Sequence, residues 1–313
     1  MKVLSNKNNK NYVVKIMQID ENDIKIKYAL NEYLALKECH HPNILKYKQI
    51  FKQNKNNIKT INIVVEYADN GNLQEKLNQN IKENKNFEEN ILIYYLIQIC
   101  LALSYFNKKH IIHRNIKPSN IFLTKSNIIK IGDLCLSKRY KQNLELQKQN
   151  SIAGTLFYIS PEMNKNRIYN GKTDIYSLGK TFLKLINCLD LANNSEMYSE
   201  DFLNLINFLL NEDPNERPSA DEILQNSFIQ KKMKEFLVEH HFENSFAYTI
   251  LQKLKNNGKL QDLKQEEDLF IKNIKKELDI LNKEINQRQN NINSDLEILM
   301  SIIFIKLNIL NEF

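Results

Sequence analysis

His113-Arg114-Asn115-Ile116-Lys117-Pro118-Ser119-Asn120, followed by Ile131-Gly132-Asp133-Leu134-Cys135, is the stretch on which the fold is decided. It gathers the cations Arg114 and Lys117, the amides Asn115 and Asn120 and the carboxylate of Asp133. Short β-rich runs, His110–His113 and Ile128–Ile131, interrupt a pattern that is otherwise helical after Gly71. Working outward, Ile91–Phe106 is the clearest helix, and helical patterns return near Asp174–Cys188 and Asp201–Leu210. Upstream, residues 1–5 and 12–18 read as short strands around the polar turn Asn6–Asn11. Residues 23–38 have helical spacing (Ile24, Tyr28, Leu30, Tyr33, Leu34, Leu36), and Ile61–Tyr67 is a compact apolar strand.

Composition bounds the rest. With 313 residues, 42% of them hydrophobic, the chain can bury one two-lobed domain and keep a tail. The net charge of +7 comes from lysines interspersed with acidic residues, a solvated surface rather than a nucleic-acid-binding stripe. Cys39, Cys100, Cys135 and Cys188 are far apart with no C-x-x-C pair, which favours reduced thiols in an intracellular, cytoplasmic protein. The start shows no signal-peptide core. Leu296–Leu310, the most apolar stretch, is broken by Lys306 and Asn308 and is too short to span a bilayer, so no membrane partner is expected.

The opening stretch resembles the protein-kinase catalytic loop H-R-D-x-K-x-x-N followed by D-F-G. Gly154-Thr155-Leu156-Phe157-Tyr158-Ile159-Ser160-Pro161-Glu162 is similar to the end of the kinase activation segment. Asp174-Ile175-Tyr176-Ser177-Leu178-Gly179 resembles the helix whose buried aspartate anchors the catalytic loop. Asp213-Pro214 and Arg217-Pro218 resemble the closing motif whose arginine pairs with the glutamate of Ser-Pro-Glu, here Glu162. Upstream, Tyr12-Val13-Val14-Lys15 fits the strand carrying the ATP lysine. Glu32 precedes His41-Pro42-Asn43-Ile44 at the family's spacing, and Val65-Glu66-Tyr67-Ala68 reads as gatekeeper and hinge. The resemblance covers residues 1–232. Gln98–Leu103 and Asn120–Leu123 look most like NIMA-related kinases, and Lys117 with Thr155 favours the Ser/Thr branch.

The resemblance implies an α+β, two-lobed kinase fold. Residues 1–68 would form the N-lobe and hinge, 69–232 a mainly helical C-lobe, and 233–313 a helical or coiled-coil tail. It implies ATP and Mg²⁺ as ligands. Lys15, fixed by Glu32, would hold the α/β-phosphates, and Asn120 and Asp133 would hold the metal through hard oxygen ligands. Adenine would lie between Val13 and Phe122 and hydrogen-bond the hinge backbone around Glu66–Ala68. Lys117 and Thr155 would flank the transferring phosphate, and Glu162, Asp174 and Arg217 would be structural.

Four departures oppose ordinary activity. Asn115 stands where the family has its catalytic aspartate. An amide accepts a hydrogen bond from the substrate hydroxyl but cannot take its proton, and a general base contributes ~10²–10⁴-fold. The bland alternative, that Asn115 merely keeps the loop's hydrogen bonds intact, describes a pseudokinase. Next, no glycine precedes Gly71, so the first strand and the glycine-rich phosphate loop are missing; either the N-lobe is truncated or the recorded start lies downstream of the real one. ATP binding would be weakened accordingly. Cys135 replaces the D-F-G glycine, which stiffens the segment; an inert small residue and a reactive thiol are its two readings. Finally, the connection between Cys188 and Asp201 is short, which puts ordinary substrate docking in doubt.

Arg114 and Ser151 are a candidate phosphoserine–arginine latch in the activation segment, against an ordinary exposed serine. His41 is explained by the His-Pro-Asn turn, and His240-His241 lack partners at ligand spacing. Leu36, Tyr47, His113 and Leu134 read as a spine-like core. In the tail, Ile274, Leu278, Leu281, Ile285, Ile292, Leu296 and Leu299 suggest an amphipathic helix. It either self-associates or binds a partner helix, or folds back on the C-lobe; NIMA-related kinases, some of them cytoskeletal or ciliary, carry such tails for self-association. The expected function is therefore a catalytically impaired pseudokinase, a nucleotide-responsive or scaffolding module for a protein partner. The alternative is a weakly or conventionally active ATP-dependent Ser/Thr kinase acting on protein substrates.

Overall fold

The computed structural model describes residues 2–4, 11–19, 24–56, 58–139, 155–165, 169–189 and 197–239. It begins with an antiparallel sheet in the order β1-β2-β4-β3, from β1 (Lys2–Leu4), β2 (Asn11–Gln18), β3 (Tyr47–Lys55) and β4 (Ile58–Glu66), with α1 (Ile24–Glu38) inserted between β2 and β3. Central strand β4 is apolar because it is covered on both faces: Ile61, Ile63, Val64 and Val65 are buried. Edge strand β3 was not foreseen from the sequence. Its residues Tyr-Lys-Gln-Ile-Phe-Lys-Gln-Asn-Lys are nearly all exposed, so no alternation marks it, and its lysines discourage further edge pairing.

Helix α1 sits where its periodicity placed it, but with a different buried face. Ala29, Glu32, Ala35 and Leu36 are buried, while Leu30 and Leu34 are 44% and 51% exposed. Small residues let α1 approach its neighbours closely, and Glu32 is carried inside, where a carboxylate needs a cation.

The helical part comprises α2 (Leu73–Lys82), α3 (Glu89–Lys108), α4 (Pro161–Asn164), α5 (Lys172–Ile186), α6 (Glu200–Leu209), α7 (Ala220–Gln225) and α8 (Ser227–Glu239). Asn72 caps α2 by accepting from the amides of Gln74 and Glu75, and Ser219 with Glu222 forms a capping box on α7. Among the described residues, α3 alone is long and apolar enough to cross a membrane. Its side chains are largely buried in this unit, the pattern of a core helix. Helices α5 and α6 meet at Gly179, where a Cβ would lie 2.9 Å from the Leu210 side chain and 3.0 Å from that of Leu209.

Short strands β5 (Ile111–Ile112), β6 (Ile121–Leu123), β7 (Ile129–Ile131) and β8 (Lys138–Arg139) pair as β5-β8 and β6-β7. The turn after α1 locks onto the β6–β7 hairpin. Ile131 donates to Asn43 O at 2.8 Å, Leu45 donates to Ile131 O at 2.9 Å, and the Asn43 amide donates to Gln98 Oε1 and Ile129 O. The sheet and the helical lobe are thereby held in register on either side of residues 113–135.

The chain divides into two units, Met1–Phe228 and Ile229–Phe313; of the second, only Ile229–Glu239 is described, as the continuation of α8. The tail pattern Ile274–Leu299, His240-His241, Ser151 and most of the connection after Cys188 lie outside the described residues.

Candidate active site

The catalytic-loop backbone is held from below by α5. Buried Asp174 accepts the His113 amide at 2.7 Å through Oδ2 and the Arg114 amide at 2.8 Å through Oδ1. These bonds hold Arg114 at a φ of 65°, in the left-handed region that non-glycine residues avoid. Burial pushes the Asp174 carboxyl up to about 6, and the amides only partly offset it. The Arg114 side chain donates through Nε to Leu136 O at 2.6 Å and through Nη1 to the Tyr169 hydroxyl at 3.1 Å.

Fully buried His113 links this loop to the segment carrying Asp133. Its Nδ1 accepts the Asn115 amide at 3.2 Å and its Nε2 lies 3.0 Å from Gly132 O, which fixes the neutral Nε2–H tautomer. Burial accordingly lowers its pKa to about 4. Leu36 and Leu134 are buried with it, Phe106 packs 5.9 Å from its ring, and Tyr47 is half-buried against Tyr33. Gly132 has no room for a side chain: a Cβ would lie 2.4 Å from Leu45 Cδ1 and 3.0 Å from Phe122 Cε2.

Above the loop, Lys15 on β2 joins two carboxylates. Its Nζ lies 2.7 Å from Glu32 Oε2 and 2.6 Å from Asp133 Oδ1. Burial alone would lower the Lys15 pKa, but Glu32 and Asp133 outweigh it and hold the ammonium charged. Burial raises the Glu32 pKa despite Lys15, whereas at Asp133 burial is overcome by Lys15 and the carboxyl is held below its usual range. Asp133 is itself left-handed, with a φ of 63°.

Asn115 is 7% exposed, and its side chain is split in function. Its Nδ2 donates to Asp133 Oδ2 at 3.3 Å, while Oδ1 is buried with no hydrogen-bond partner among the described residues. The reverse orientation would set an amide oxygen against a carboxylate oxygen, so chemistry fixes this one. The Asn115 carbonyl accepts Asn120 Nδ2 at 2.8 Å. Lys117 Nζ donates to Thr155 Oγ1 at 2.8 Å, which brings the catalytic loop and activation segment together at the surface.

Val13 lies on β2 two positions before Lys15, on the same face of the strand, and pairs with Val65 of β4. Glu66 ends β4: its carboxylate accepts the Lys46 amide at 2.8 Å and faces Lys130 Nζ at 3.2 Å. Beyond it, Ala68 is buried. Below, Arg217 is fully buried and bonds Glu162 in a bidentate pair at 2.8 and 3.1 Å, with further bonds to Asn211 O and Lys172 O. Arg217 overcomes the upward push of burial and holds the Glu162 carboxyl below its usual range.

One environment went unread in the sequence. Burial and the neighbouring Asp133 carboxylate push the Cys135 thiol up to about 12, so it is protonated and a poor nucleophile. Sequence spacing gives no side-chain direction there. Among the described residues no His/Cys/Asp/Glu group of metal-holding size occurs. Of the residues assigned to a metal, Asp133 already meets Lys15 on Oδ1 and the Asn115 amide on Oδ2, donors that compete with a cation there; Asn120 donates through Nδ2 to the loop backbone, and its Oδ1 is the atom that would take a metal.

The protein kinase domain family model matches residues 1–193. Putative serine/threonine-protein kinase A of Trypanosoma brucei brucei is 29% identical over 81% of this chain and 59% of its own length. Serine/threonine-protein kinase Nek1 of Mus musculus is 30% identical over 80% of this chain and 22% of its own, and Nek9 of Mus musculus is 34% identical over 66% and 22%. The chain thus spans from 22% to 59% of the length of these relatives. With the sheet, the helical lobe and the motif contacts in place, the chain belongs to the protein kinase domain family, and the relatives named above are Ser/Thr kinases, two of the three of the Nek type.

Proposed function

We propose that this Ser/Thr kinase-like chain is a catalytically impaired, nucleotide-binding module that works through protein contacts. The observation that carries the reading is the Asn115 side chain: its nitrogen is committed to Asp133, and its buried oxygen can accept a hydrogen bond from a hydroxyl but cannot take the proton.

Nucleotide is supported by the remaining frame. Val13 and Phe122 would sandwich a planar base ahead of the Glu66–Ala68 segment. Lys15, with its partners Glu32 and Asp133, keeps a third N–H for a phosphate oxygen. When bound, ATP would supply a transferable phosphoryl group; the chain's residues would orient it and exclude water, without a carboxylate to deprotonate an acceptor. Arg114 and Ser151 remain a proposed latch, and the tail a proposed site for a partner helix or second copy.

A second reading, a weakly active Ser/Thr kinase, is favoured by the contact between Lys117 and Thr155, which sets a cation where a transferring phosphate would pass. Phosphotransfer to protein substrates by wild type, Asp133→Ala and Asn115→Asp separates the two. The expected result is no Asp133-dependent transfer by wild type, and a gain of about 10²-fold or more in Asn115→Asp. Wild-type transfer abolished by Asp133→Ala overturns the impaired reading.

A further inference from the structure

The departure at position 115 acts on the carboxylate beside the phosphate site. A carboxylate offers about four lone-pair positions. At Asp133, Lys15 takes one on Oδ1 at 2.6 Å and the Asn115 amide takes one on Oδ2 at 3.3 Å. In the family pattern quoted above, position 115 is an aspartate, which when ionised donates nothing from its side chain. The replacement therefore adds a donor to the group that would otherwise face a divalent cation.

Charge points the same way. With asparagine at 115, the ionic side chains around the cleft balance: Lys15 and Lys117 against Glu32 and Asp133. An aspartate at 115 would set a second carboxylate about 3 Å from Asp133, a repulsion of several kcal/mol even at an effective dielectric of 20 unless a cation intervened. The amide removes that charge and supplies an N–H in its place. A neutral site also opposes a triphosphate less than an anionic one does.

We infer that the amide donor of Asn115 stands in for the divalent cation at Asp133, so that the cleft binds nucleoside triphosphate without Mg²⁺. This rests on the reading of the cleft as a nucleotide site.

Calorimetric titration of the full chain with ATP, once in EDTA and once in excess MgCl₂, tests it. Wild type is expected to bind with affinities within about threefold of each other in the two buffers. Asn115→Asp is expected to lose about tenfold or more in EDTA and to recover in MgCl₂, as a like charge beside Asp133 requires. Asn115→Ala, which removes the amide donor without adding a charge, is expected to shift the same way by less and covers the case in which Asn115→Asp fails to fold. Wild-type binding that appears only with Mg²⁺ overturns the inference and leaves the nucleotide site standing. Wild-type binding in neither buffer overturns both.

Discussion

Two ion clusters in this domain use the same chemistry to different ends. Arg217 and Glu162 form a sealed pair: the arginine has no exposure, its hydrogen bonds go to Glu162 and to backbone carbonyls, and its guanidinium lies 5.0 Å from the Tyr176 ring centroid. Lys15, Glu32 and Asp133 form an open one, with the Lys15 side chain 37% and the Asp133 side chain 27% exposed. Arginine's planar fork suits a fixed bidentate partner, while a lysine ammonium can share its donors with a ligand. The contrast separates a joint that holds α4, α5 and the segment before α7 together from a site that keeps capacity to bind.

The largest effect should come from breaking the sealed cluster. Arg217→Ala leaves a buried Glu162 carboxylate unpaired and should cost about 3–5 kcal/mol in chemical or thermal unfolding. If the loss is under about 1 kcal/mol, the pair is no joint. Lys15→Met tests the open cluster and should cost less, about 1–2 kcal/mol, because Glu32 can take up a proton and Asp133 reaches solvent. Its signature is functional: ATP should no longer raise the unfolding midpoint, whereas a variant that kept the full ATP shift would remove Lys15 from the binding site.

Acid should distinguish the regions more gently. His41 is lowered to about 3 and His113 to about 4, chiefly by burial, and each accepts a backbone N–H through Nδ1. Because the unfolded chain binds those protons first, their stabilising contribution is complete above the ordinary histidine value of 6.5. It is lost as pH falls towards about 4 and then about 3. Asp174, raised to about 6, acts the other way: its contribution is complete below 3.8 and lost as pH rises through about 6. The two histidines outweigh the one aspartate, so the unfolding midpoint should rise from pH 4 to 6.5. A midpoint that is flat or falls with rising pH would contradict neutral imidazoles at positions 41 and 113.

Which side chains meet was largely legible, because the motifs fix it: Lys15 with Glu32, Asp174 with the loop backbone, and Arg217 with Glu162 all follow from ordered spacing. Strand β3 was not, since an edge exposed on both faces carries no hydrophobic period. The inner face of α1 was obscured because its buried positions are alanines and a glutamate, while its leucines at 30 and 34 face solvent. Asn115 was read as the loss of a base, which is a statement about one residue. That its nitrogen serves Asp133 depends on how the chain turns after position 132.

That contact ties the effects of positions 115 and 133 together. A change at either one alters the partner on which the other acts, so their energetic effects should not add, as expected of residues in contact. What a scan of the sequence counts as a missing base is, at Asp133, a rewritten local contract between two side chains.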